Sequence, residues 1–146
     1  MKESLQNNHF NHFKLHTQYS ICEGAVKIED LKDLCKSNKI RCLGISDTSN
    51  LCGALEFSEC VSKSGTQPII GTQINFIHEN DIGLLTLIAK NNIGYSKIIE
   101  LSSKSYLDRT VLDVPHCKFE DLFVDTENII VMSGTINGLF GKLFNK

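Results

Sequence analysis

The chain has 146 residues and a mass of 16.3 kDa, the size of one ordinary domain. Hydrophobic residues make up 41% and charged residues 22%, a globular balance that excludes a disordered or fibrous chain. The net charge is −2 and arginine occurs only at Arg41 and Arg109, which excludes a strongly basic module that reads nucleic acid through a broad arginine face.

Residues 1–11 are polar and are expected to be flexible. Over 12–17, apolar Phe13 and Leu15 alternate with polar Lys14 and His16, which predicts a short strand. A loop with Gly24 follows. Ile28, Leu31, Leu34 and Cys35 recur at helical spacing, with Asn38 as a stop. Residues 40–45 read as a buried strand. Leu51, Ala54, Leu55, Ser58 and Val61 mark a second helix that Gly65 ends. Residues 68–76 and 84–89 read as two further strands about a turn at 78–83. Asn91 or Asn92 caps a third helix through Tyr95, Ile98, Ile99 and Ser102. A loop with Pro115 leads to a short helix near Phe119, a strand over 129–132 and a helical stretch over 136–144. The alternation predicts a mainly parallel α/β sheet or barrel. Chemistry in such folds gathers at the carboxyl ends of strands, here residues 14–23, 46–50, 71–73 and 133–134.

Six cysteines occur with no Cys-x-x-Cys pair, so neither a zinc ribbon nor a dithiol redox motif is indicated. The first fifteen residues lack the apolar stretch of a secretion signal. No apolar run nears the roughly 20 residues of a membrane span. A cytoplasmic, reduced protein without a membrane partner is expected.

The strand ends hold Lys14, His16, Glu23, Asp47, Thr48 and Gln73. A metal-dependent hydrolase places histidines and carboxylates there to activate water. The plainer reading makes His16 a satisfied histidine and Asp47 a turn or cap residue. Lys14 between His12 and His16 is electrostatically unfavourable beside a cation. Four other features are read as structural. His9 and His12 lie in the polar start. His78, Glu79 and Asp81 lie in a turn. His116 and Cys117 have no oxyanion hole beside them. Gly134, Gly138 and Gly141 lack the spacing of a phosphate loop.

Several stretches, taken together and in order, resemble one family. These are His12-Phe13-Lys14-Leu15-His16-Thr17, Glu23-Gly24-Ala25, Ser46-Asp47-Thr48-Ser49-Asn50-Leu51, Pro68-Ile69-Ile70-Gly71-Thr72-Gln73, Leu101 to Leu107, and Ile130-Val131-Met132-Ser133-Gly134. They are similar to the PHP (polymerase and histidinol phosphatase) domain found at the N-terminus of bacterial replicative DNA polymerase III alpha subunits. The resemblance implies the N-terminal part of a distorted (β/α)7 barrel over 12–146, incomplete at its C-terminus. An open part-barrel exposes strand edges and apolar faces.

It also implies positions for metal ligands. The first His-x-His falls on Lys14 and His16, the acidic loop residue on Glu23, the Asp-His pair on Asp47 and Thr48, and a later Glu on Gln73. Lys14, Thr48 and Gln73 depart from that pattern. The implied domain therefore has a degenerate metal site, no catalytic residue and no cofactor, with Lys14 replacing the metal's charge by pairing with Asp47 or Glu23. Mg²⁺ belongs to the parent polymerase, and Zn²⁺ or Mn²⁺ only to an active site. The implied partners are the rest of the alpha subunit and the proofreading exonuclease subunit, with DNA met only through the holoenzyme. The alternative is an active metal-dependent phosphoesterase or 3′–5′ exonuclease. A stand-alone binding protein of the same fold is disfavoured by the match over Leu101 to Leu107.

Overall fold

Ile28, Leu31 and Cys35 bury one stripe of the first helix, α1 (Ile28–Ser37), while acidic Glu29 and Asp30 occupy its first turn, where the helix dipole favours them. The computed structural model describes residues 10–108, 114–124, 126–136 and 138–145. The expected flexible start falls mostly on residues 1–9, outside the described set. After α1 come β1 (Cys42–Thr48), α2 (Ala54–Ser62), β2 (Gln67–His78), β3 (Asp81–Ala89), α3 (Asn92–Leu107), β4 (His116–Lys118), a 3-10 turn (Phe119–Phe123), β5 (Ile129–Met132) and α4 (Leu139–Phe144). None of the described helices is long and apolar enough to cross a membrane.

The five strands form one sheet in the order β1-β2-β3-β5, with β4 also on β2. β2 is the spine. Along one edge it pairs in parallel with β1 from Gln67 to Gln73, then with β4 from Asn75 to Ile77. The sheet is mixed, which corrects the expectation of a mainly parallel one: β3 lies antiparallel to both β2 and β5. The cause is the short 79–80 connection, since a tight turn joins only antiparallel neighbours and a parallel crossover needs a dozen or more residues.

The expected strand at 12–17 does not form. The segment does run beside β1, where Gly44 N–H donates to the His12 carbonyl at 2.7 Å and Ser46 N–H to that of Leu15 at 2.8 Å. The donors are two residues apart and the acceptors three, so no regular ladder can form. Only Thr17 makes a bridge, to Val26. β4 was not anticipated, being three residues long beside Pro115.

Two hydrophobic clusters lie side by side on one face of the sheet. Leu43 and Ile45 pack with Ile28, Leu31, Phe57 and Val61 of α1 and α2. Ile74, Phe76, Leu85 and Leu87 pack with Ile98 and Leu101 of α3 and with Leu139 of α4. Not every residue of the expected apolar stripes is inside: Leu34, Leu55 and Ile99 are exposed. Asn91 caps α3 by accepting from Gly94 N–H at 3.0 Å.

Candidate functional site at the strand ends

Strand alternation decides which residues of the expected site can meet. Register places Thr48, Gln73, Thr86 and Met132 side by side in a row across β1, β2, β3 and β5. The adjoining row is Asp47, Thr72, Leu87 and Val131, and it points to the opposite face. Leu87 is in the cluster with α3, so Asp47 is on the helix-covered side. Thr48 and Gln73 are on the other. The sheet itself separates Asp47 from Gln73.

Asp47 is 1% exposed, and its carboxylate is enclosed by the loop before α1. Thr17 N–H donates to Oδ1 at 2.6 Å, Thr17 Oγ1 to Oδ2 at 2.7 Å, and Ser20 Oγ to Oδ1 at 2.6 Å. Charge-assisted bonds of this kind are among the strongest that neutral donors make. Ser20 Oγ also accepts from Thr48 N–H at 3.1 Å and lies 3.3 Å from His16 Nδ1. Gly24 closes the loop: a Cβ there would collide with the carbonyl oxygen of Thr17. Thr72 Oγ1 braces the adjoining turn by donating to the Asp47 and Asn50 carbonyls.

The remaining positions line the mouth. Thr48 Oγ1 donates to Glu23 Oε2 at 2.5 Å, and His16 Nδ1 lies 3.9 Å from the same oxygen. Gln73, 3% exposed, donates from Nε2 to Thr86 Oγ1 at 3.2 Å. Lys14 pairs with neither Asp47 nor Glu23, which corrects that expectation. Hydrogen bonds from Thr17 and Ser20 answer the charge of Asp47 instead. Lys14 lines a cavity of about 100 Å³ with Gln73, Leu84, Gly134, Thr135 and Gly138. One row deeper on the same face, Ser46 Oγ is buried with no hydrogen-bond partner among the described residues.

Sequence reasoning missed Thr17, Ser20 and Thr86. The first two were visible as hydroxyls within the strand-end window at 14–23, but their target is about thirty residues away. His78 and His116 lie away from this mouth: His78 is 3.8 Å from Glu120, and His116 Nδ1 is 2.7 Å from the Val114 carbonyl. Cys117 is buried, with its thiol donating to the Leu101 carbonyl at 3.2 Å; burial, then the charge of Asp121, push it up to about 12.

A PHP domain model matches residues 12–146. The chain belongs to the PHP domain family. This PHP domain is 38% identical over 136 residues to the DNA polymerase III alpha subunit of Rickettsia conorii, covering 91% of this chain and 11% of that protein. The alpha subunit of Pasteurella multocida is 37% identical over 136 residues, and that of Caulobacter vibrioides 34% identical over 146. The chain thus spans about a tenth of the length of the curated relatives it matches, in the homologous PHP region. A solved structure assigned as a metal-dependent phosphoesterase, from Bifidobacterium adolescentis, aligns with a TM-score of 0.51 at 17% identity over 65% of this chain and 32% of that one, a likeness of fold.

The ligand positions the family implies do not make a donor set for a divalent cation here. Zinc and manganese take His, Cys and carboxylate donors. Lys14 is a cation, Thr48 and Gln73 are neutral, and the Asp47 carboxylate is on the far face. Among the described residues, no group of three or more His, Cys, Asp or Glu is placed to hold a metal ion.

Proposed function

We propose that this PHP domain works in DNA replication as a metal-free, structural part of a DNA polymerase III alpha subunit. The observation that carries the metal-free reading is the Asp47 carboxylate, fully engaged by Thr17 and Ser20 on the face away from Gln73. Nucleotidyl transfer and its Mg²⁺ then belong to the remainder of the alpha subunit, in the bacterial cytoplasm. The polar groups of the mouth serve to hold loops together. Elemental analysis after chelation, reloading with Zn²⁺ or Mn²⁺ and desalting tests this; stoichiometric metal overturns it.

In the same reading the domain docks the proofreading exonuclease subunit, a role supported by the family resemblance. Retention of that subunit on the immobilised chain at micromolar concentration is expected, and its failure to bind counts against docking. The alternative, an active phosphoesterase or 3′–5′ exonuclease, has in its favour the 3.9 Å approach of His16 to Glu23, two donor residues kept at the mouth. The metal assay separates the two readings.

A further inference from the structure

We infer that the turns at the amino ends of β1 and β2 form a docking surface for a short acidic segment of a partner protein. Lys36 in the last turn of α1, Lys39 and Arg41 in the turn before β1, and Lys63 just after α2 are all exposed. Hydrogen bonds hold the two turns against each other. Thr66 Oγ1 donates to the Ile40 carbonyl at 2.8 Å, and Gln67 N–H donates to the Arg41 carbonyl at 2.9 Å. β1 and β2 run parallel from this end toward the mouth, so the seven residues of β1, about 20 Å of strand, separate the two. The surface is independent of whether the mouth holds a metal.

Among the described residues, none of the four cations makes an ion pair. Asp33 and Glu59 lie one turn back on α1 and α2, at the spacing that could pair them with Lys36 and Lys63, and neither pair forms. Lys36 and Lys63 suit the negative ends of the two helix dipoles. Lys39 and Arg41 lie beyond the helix and have no such role. Lys39 takes φ +52°, a conformation that glycine or asparagine adopts at less cost. Helix ending therefore accounts for two of the cations and not for the cluster.

The composition of the patch favours carboxylates on a protein over a nucleic acid. The net charge of −2 becomes −6 when these four cations are set aside, so the rest of the chain repels a long polyanion. Residues 36–41 and 62–67 include no aromatic ring, and single-stranded nucleic acid needs rings on which its bases stack. The three ammonium groups take an anion as point charges, and the Arg41 guanidinium adds one fork that matches a carboxylate. A short acidic segment covers the patch without reaching the negative remainder of the surface.

The test is an amide-resolved NMR titration of the full chain at low, constant ionic strength. The probes are a short peptide of alternating glutamate and serine, the same peptide with glutamine for glutamate, and single-stranded DNA of matched length. Saturable shifts over residues 36–41 and 63–67 are expected with the acidic peptide, at about millimolar affinity. Lys39→Gln combined with Arg41→Gln should weaken that binding about three- to tenfold. Lys27→Gln combined with Lys118→Gln removes the same charge from elsewhere on the surface and should leave it unchanged. The inference is overturned if the acidic peptide shifts none of these residues, if the glutamine peptide acts equally, or if the two double variants weaken binding alike. DNA that binds these residues as tightly as the acidic peptide assigns the patch to nucleic acid and overturns it as well.

Discussion

Thr17 holds Asp47 twice, with its N–H on one carboxylate oxygen and its hydroxyl on the other. The pair ties the loop before α1 to the end of β1 across thirty residues of chain. Asp47→Asn keeps the shape but turns one acceptor into a donor that faces other donors. A loss of about 2–4 kcal/mol is expected in urea denaturation. Thr48→Val removes only an exposed bond to Glu23 and should cost under about 1 kcal/mol. Equal losses would mean that Asp47 is not the loop's anchor.

Restoring donors should restore a metal. Thr48 and Gln73 are direct neighbours on paired strands, a spacing of about 5 Å that lets two side chains share one ion. Lys14 lines the cavity with Gln73. The combined Lys14→His, Thr48→His and Gln73→Glu variant is expected to retain Zn²⁺ or Mn²⁺ stoichiometrically after desalting, and the unaltered chain is not. If the variant stays metal-free, these three positions are not what keeps metal out.

The thiols should react in order of exposure. Cys22 and Cys52 are exposed, while Cys35 and Cys117 are buried. With Cys117 pushed up to about 12, only about one part in ten thousand is thiolate at pH 8. Timed alkylation with peptide mapping should label Cys22 and Cys52 first and Cys117 last. Early labelling of Cys117 would show that α3 opens away from β4.

The same thiol gives a pH dependence with a definite sign. Between about 9, its ordinary value, and about 12, the unfolded chain has lost the proton and the folded chain keeps it. The unfolded state then binds fewer protons, so stability falls as pH rises through that window. Lys104, raised by its hydrogen bond to Asp121, acts in the same direction as pH passes its folded value. Melting curves of Cys117→Ala should slope less steeply over this range; an unchanged slope refutes the assignment to Cys117.

The join between α3 and the segment before β5 offers a further test. Asn91 Nδ2 donates to Asn128 Oδ1 at 2.7 Å, and a Cβ on Gly94 would strike the Asn128 carbonyl. Asn91→Ala should cost about 1 kcal/mol through the lost cap, and Gly94→Ala about 1–3 kcal/mol through overpacking. Thermal denaturation reads both. A neutral Gly94→Ala would show that the two segments do not press together.

Local pattern carried most of the elements. β5 was legible to the residue from its apolar run, Asn38 marked the end of α1, and Gly65, at φ +79°, marked the turn just after α2 because few other residues suit that backbone position. Two strands with only a turn between them carried the signal of an antiparallel β2–β3 pair, which the expectation of a mainly parallel sheet passed over. At the site, the residues were legible but their grouping was not. Which face Asp47 takes depends on pairing register, and its partners come from a distant loop that periodicity does not reach. Lys14 could be seen to conflict with a metal, but not that it would leave Asp47 and Glu23 alone.

β2 carries one further consequence. Ile70 packs with the α1 and α2 cluster, and Ile74 and Phe76, four and six residues on, belong to the α3 cluster. One twelve-residue strand is therefore a structural member of both cores. Neither core can melt without fraying a strand the other depends on, so the two behave as a single cooperative unit.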